Sequence, residues 1–125
     1  MMDSGTGSTA PYVLVIEDDD EIRESFEELL RLDGHKVTAV RNGLEGLALL
    51  ARSAAPRLIL LDLMMPEMTG VEFLARLQEN PQLKQIPIVA VTASRQQQPP
   101  PGAVALLSKP FEMTDLWRIV RQYVR

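Results

Sequence analysis

A chain of 125 residues is the length of one domain, and 46% hydrophobic with 24% charged residues is an ordinary globular balance. Its 17 acidic and 13 basic residues leave a net charge of −4, which argues against non-specific binding to nucleic acid or an anionic membrane. Cysteine is absent and histidine occurs once, as His35, which excludes disulfides, thiolate metal sites, cysteine nucleophiles and multi-histidine zinc sites.

Residues 1–11 carry almost nothing apolar and read as a disordered tail ahead of a domain over residues 12–125. The tail lacks the basic start and apolar core of a signal peptide. No apolar run approaches the roughly 18 residues that span a bilayer. The expectation is a soluble, cytoplasmic chain.

From Tyr12 onward two periods alternate. Tyr12–Ile16 is a short, continuous apolar run, the pattern of a strand buried on both faces. Ile22, Phe26, Leu29 and Leu30 then recur at helical spacing and stop at Asp33-Gly34. Lys36–Val40 is a second strand. Asn42 with Glu45 resembles a capping box opening a helix through Leu44, Leu47 and Leu50. Arg57–Leu61 is a third strand, and Val71, Leu74 and Leu77 mark a helix closed before Asn80-Pro81. Ile86–Val91 is a fourth strand, with Pro87 tolerable only near its start. Ala103–Leu107 is a fifth, and Leu116, Ile119, Val120 and Tyr123 stripe the last helix. Such alternation implies a parallel sheet with helices on both faces.

One connection breaks the rhythm. Residues 95–102 hold three glutamines and three prolines where a helix belongs between strands four and five. Consecutive prolines cannot sit in a helix interior, so that helix is shortened or missing. The segment reads as a flexible or polyproline-like contact loop.

In a doubly wound sheet ligands bind at the carboxyl ends of the strands. Glu17-Asp-Asp-Asp-Glu21 follows strand one, Asp62 strand three, Thr92 strand four and Lys109-Pro110 strand five. Carboxylates about 4 Å apart repel by about 4 kcal/mol at an effective dielectric of 20. A divalent cation relieves this, and all-oxygen ligands favour Mg²⁺, Mn²⁺ or Ca²⁺. A lysine and a hydroxyl opposite would hold phosphoryl oxygens, which suits transfer of a phosphoryl group to a carboxylate.

The strings Val13-Leu-Val-Ile-Glu-Asp18, Leu60-Leu-Asp62-Leu-Met-Met-Pro66-Glu-Met-Thr-Gly70, Val89-Ala-Val-Thr92-Ala93 and Ser108-Lys109-Pro110-Phe111 resemble the receiver domain of bacterial two-component response regulators, over nearly all of residues 12–124. The resemblance implies a flavodoxin-like, doubly wound five-stranded parallel sheet of order 2-1-3-4-5. It implies Asp62 as phosphoacceptor and Mg²⁺ (Mn²⁺ possible) held by Glu17, Asp18, Asp62 and the Met64 backbone carbonyl. Glu17 stands where the family more often has Asp. Thr92 and Lys109 would each hold a phosphoryl oxygen, with a cis peptide before Pro110. Phosphate would come from a histidine kinase or phosphotransfer protein, and output would pass to an unknown downstream protein by contact, with no nucleic acid and no membrane. The domain would be a phosphoacceptor that catalyses only its own phosphorylation and dephosphorylation. Met64 and Ser94 occupy positions that modulate dephosphorylation in the family.

Simpler accounts apply to some of these residues. Asp19, Asp20 and Glu21 suit the first turn of a helix, favourable with its dipole. Met64, Met65 and Met68 suit core and loop packing, and His35 a solvated turn. Two departures from the family stand out: Leu106 replaces the usual switch aromatic three residues before Lys109, and the helix before strand five is lacking. They suggest output through another face, or a pseudo-receiver that signals without phosphorylation. A phosphohydrolase is disfavoured because Met64 stands where such enzymes place a second acid.

Overall fold

The computed structural model describes residues 12–95 and 98–124. The expected tail over residues 1–11 and two of the three glutamines, Gln96 and Gln97, lie outside the described residues. In chain order the elements are β1 (Val13–Ile16), α1 (Asp20–Leu32), β2 (Val37–Val40), α2 (Gly43–Arg52), β3 (Leu58–Asp62), α3 (Gly70–Gln78), a 3₁₀ turn (Leu83–Gln85), β4 (Ile88–Thr92), β5 (Ala105–Ser108) and α4 (Met113–Tyr123). The five strands form one sheet of order β2-β1-β3-β4-β5, all parallel, as expected. No described helix is long and apolar enough to cross a membrane.

Strand residues alternate between two cores. Leu14, Ile16, Ile59, Leu61, Ile88 and Ala90 face α2 and α3, where they meet Leu50, Phe73, Leu74 and Leu77. Val13, Val15, Leu58, Leu60, Val89, Val91 and Leu107 face α1 and α4, where they meet Phe26, Leu30, Leu116 and Val120. Both faces are covered, which is why the central strands read as unbroken apolar runs. Full burial of one such aliphatic side chain contributes about 1.5–3 kcal/mol.

Several boundaries and caps differ from the expectation for identifiable reasons. The fourth strand begins at Ile88, because Pro87 lacks the N–H needed to join the ladder and offers only its carbonyl, to the Ile59 amide at 3.0 Å. Asn42 does cap α2, accepting from the Glu45 amide at 2.8 Å, but Glu45 turns to the Arg41 amide and leaves the box incomplete. The complete capping box is at Thr69 and Glu72, which opens α3. Leu44 is exposed, so only Leu47 and Leu50 of the expected α2 stripe pack inward.

Among the described residues no helix joins β4 to β5, as expected. The described prolines do not form a polyproline segment throughout, however. The Ala103 amide donates to the Pro100 carbonyl at 3.1 Å across Pro101 and Gly102, with Gly102 at φ +97°. Proline followed by a positive-φ glycine is the pattern of a type II turn. That turn rests on α3: a Cβ on Gly102 would lie 3.1 Å from Gln78 Nε2.

Candidate functional site

The carboxyl ends of β1, β3 and β4 deliver Glu17, Asp62 and Thr92, and all three are buried polar residues. Burial of such groups is costly unless they are paired. Lys109, just after β5, supplies the cation: its Nζ lies 2.9 Å from Glu17 Oε1 and 3.6 Å from Asp62 Oδ2. The Lys109 amide donates to the Thr92 carbonyl at 2.8 Å, and the Lys109–Pro110 peptide is cis. Phe111 stacks on Phe26 of α1 at 4.9 Å between ring centroids, which anchors the turn carrying Lys109.

The first acidic run divides as its chemistry suggests. Besides its ion pair with Lys109, Glu17 is held by its carbonyl, which accepts from Arg23 at 3.1 Å, and its Oε2, which accepts from the Asp19 amide at 3.2 Å. Asp19 is the N-cap of α1 and accepts from the Ile22 amide at 3.0 Å, while Asp20 and Glu21 fill the first turn. Asp18 is exposed yet converges with its neighbours, since single oxygens of Glu17, Asp18 and Asp62 all lie within 4.8 Å of one another.

Asp62 Oδ1 accepts from the Met64 amide at 3.0 Å, which folds the loop after β3 back over the carboxylate. Its carboxyl is raised to about 7, first by burial and then by Glu17, with the Met64 amide and Lys109 pulling the other way. The Thr92 hydroxyl donates to Ser94 Oγ at 3.1 Å and accepts from the Ser94 amide at 3.1 Å. Beside Lys109 an apolar cleft of about 430 Å³ opens between Ile22, Ser25 and Leu29 of α1 and Pro110-Phe111.

Two expected placements are corrected. Met65 and Met68 are buried as loop packing, but Met64 is 69% exposed at the mouth of the site, because its own amide is turned toward Asp62. His35 is half-buried, with Nε2 3.4 Å from Asp33 Oδ2, because Arg121 of α4 draws Asp33 inward. Leu106 lies half-buried on the α2 and α3 side of the sheet. Sequence reading missed the Thr69 cap and the Asp33–Arg121 pair; a Thr-x-x-Glu spacing marks the first, while nothing local marks the second.

A doubly wound sheet of this order, with three acids, a hydroxyl and an ammonium on its carboxyl edge, defines the CheY-like class of α/β domains. The chain belongs to the response regulator receiver domain family of two-component systems, whose profile matches residues 13–121. The polar-differentiation response regulator DivK of Brucella anthropi is 32% identical over 117 residues, covering 90% of this chain and 94% of that protein. The chemotaxis response regulator CheY4 of Vibrio cholerae superposes with a TM-score of 0.83 at 28% identity, covering 92% of this chain and 99% of that one. The response regulator TrrA of Thermotoga maritima, solved in complex with Mg²⁺ and BeF, shares the fold at a TM-score of 0.80 and 24% identity, over 90% and 98% of the two chains.

Proposed function

We propose that residues 12–125 form a receiver domain that accepts a phosphoryl group on Asp62 from a histidine kinase or phosphotransfer protein, in a Mg²⁺-dependent reaction, and signals by protein–protein contact. The observation that carries this reading is a buried aspartate at a strand end whose neighbours are one ammonium and two further carboxylates. The donor set fits a hard divalent cation. Three carboxylates approach one another without histidine or sulfur, and buried Glu17 Oε1 makes no hydrogen bond beyond its ion pair with Lys109. Glu17, Asp18, Asp62 and the Met64 carbonyl would hold Mg²⁺, or Mn²⁺, which when bound neutralises charge on the incoming phosphoryl group.

The chain's own residues perform the remainder. An oxygen of Asp62 attacks phosphorus, the donor's N–P bond breaks, and the electron pair leaves with the donor nitrogen. Lys109 pairs with one phosphoryl oxygen. Thr92 releases Ser94 and donates its hydroxyl to another. Hydrolysis by water returns free Asp62 and phosphate. The cytoplasm is the compartment consistent with such partners. The convergence of three carboxylates and one ammonium at this edge, with buried Thr92 at the end of the neighbouring strand, favours phosphorylation over a phosphorylation-independent pseudo-receiver.

Incubation with Mg²⁺ and a small phosphodonor tests the reading by mass spectrometry. One added phosphoryl mass is expected, lost in Asp62→Asn. Absence of an adduct with every donor, including a phosphorylated phosphotransfer protein, would overturn it.

A further inference from the structure

We propose that Gly70 is a positioning residue for this reaction, an inference that rests on reading Asp62 as the phosphoacceptor. Its role is to let the first turn of α3 sit directly on the backbone that carries the site. A Cβ at Gly70 would stand 2.7 Å from Leu63 Cα, 2.8 Å from the Asp62 carbonyl oxygen and 2.8 Å from Leu63 Cδ2. Two of these atoms are backbone, so no side-chain rotation relieves the contact. Among the described glycines only Gly34 and Gly102 have positive φ, so what Gly70 provides is space and not an unusual torsion.

The close approach has a specific consequence. The Gly70 amide donates to the Leu63 carbonyl at 3.2 Å, and the Leu63 amide donates to the Val91 carbonyl at 2.9 Å. Leu63 is thus held by β4 on one side and by α3 on the other. Between Leu63 and Gly70 the loop is already tight: Glu67 lies at φ 69°, and the Met68 amide reaches the Pro66 carbonyl at 2.7 Å. A methyl group at Gly70 therefore presses on the Asp62 and Leu63 backbone, and the chain that must move with it runs directly into Met64. Met64 supplies the amide that orients Asp62 Oδ1 and the carbonyl assigned above to the cation. The other close glycine contacts lack this property, since a Cβ at Gly43 or Gly46 would meet only side-chain atoms of Met68, Phe73 and Ile16.

The test compares wild type, Gly70→Ala, Thr69→Val and Leu77→Ala by amide NMR, thermal unfolding and titration with Mg²⁺ alone. Gly70→Ala is expected to move the Met64 amide in the metal-free protein and to weaken Mg²⁺ binding about tenfold, the range seen when groups orienting a ligand are lost. Leu77→Ala removes buried volume at the far end of α3 and is expected to lower the melting temperature with neither of those changes. A folded Gly70→Ala that keeps the Met64 shift and the wild-type Mg²⁺ affinity would overturn the inference alone. A wild-type protein that bound no Mg²⁺ would overturn the site reading and this inference with it. If Gly70→Ala does not fold, Thr69→Val decides, because it loosens the same turn by removing the cap and adds no atom against the backbone. Weaker Mg²⁺ binding in that variant supports the role, and unchanged binding overturns it.

Discussion

Asp62 and Asp33 sit at opposite ends of the sheet, and each faces a cation, yet their carboxyl groups are pushed in opposite directions. At Asp62 burial comes first and raises the carboxyl to about 7, because Lys109 at 3.6 Å is shared with Glu17, which it approaches to 2.9 Å. At Asp33, the C-cap of α1, hydrogen bonds from Arg121 come first and hold the carboxyl below its usual range, with His35 adding to them. Asp33 is the one acid that Arg121 pairs with among the described residues, through Nε at 3.1 Å and a second guanidinium nitrogen, while the guanidinium also lies 5.9 Å from the Trp117 ring centroid. One ammonium divided between two buried acids leaves a site under-neutralised and ready for further positive charge. An arginine committed to one acid makes a structural tie.

The strongest way to break that contrast is to remove the shared cation. Lys109→Met deprives Glu17 and Asp62 together, so the Asp62 carboxyl is expected to rise further and the phosphoryl oxygen to lose its partner. Loss of one such preorganised donor slows transfer by about 10²–10³-fold. The rate of adduct formation with a small phosphodonor, followed by mass spectrometry, checks this. A fall of less than about fivefold would show that Lys109 contributes little to the transition state.

The pH dependence sharpens the same contrast. A carboxyl raised above its unfolded value near 3.9 contributes its stability fully below that value and loses it as pH rises through about 7. Metal-free protein is therefore expected to weaken steadily between pH 4 and 7 at this site. Asp62→Asn should flatten that slope and be the more stable protein at pH 8. Added Mg²⁺ should move the Asp62 titration downward, since a nearby cation favours the charged form. Carboxyl carbon shifts against pH, with and without Mg²⁺, measure it directly.

The contrast also explains what could be read from sequence. Buried parallel strands announce themselves as apolar runs, and the residue after each run is by topology on the ligand-binding edge, so Glu17, Asp62, Thr92 and Lys109 were legible as a set. The Asp33–Arg121 tie was not, because its partners lie 88 residues apart and meet only after α1 and α4 pack on one face. Gly70 was legible as part of a motif but its reason was not, since close approach of two backbones has no local signature. The prolines of residues 99–101 correctly excluded a helix, yet only tertiary contact with α3 sets the turn at Gly102.

The corner without a helix gives an effect of intermediate size. Leu106 is half-buried and lacks an aromatic ring to couple Thr92 to β5 and α4. Loading the site with a phosphoryl mimic is expected to shift amides at Met64, Thr92 and the Pro100–Ala103 turn more than those along α4. Largest distant shifts on β5 and α4 would show that output uses that face after all.

The smallest expected effect belongs to the structural aspartate. Because the Asp33 carboxyl is lowered, its contribution is present above the unfolded value near 4 and disappears as pH falls below it. Asp33→Asn keeps the side-chain shape, retains one oxygen for Arg121 and removes the charge, so the loss at pH 7 should be under about 1 kcal/mol, as for other partly exposed ion pairs. The gap between wild type and Asp33→Asn should therefore be full above about pH 4 and close toward pH 3. Chemical denaturation at these pH values measures it, and a gap that instead widened down to pH 3 would mean that Asp33 is not the acid tying α1 to α4.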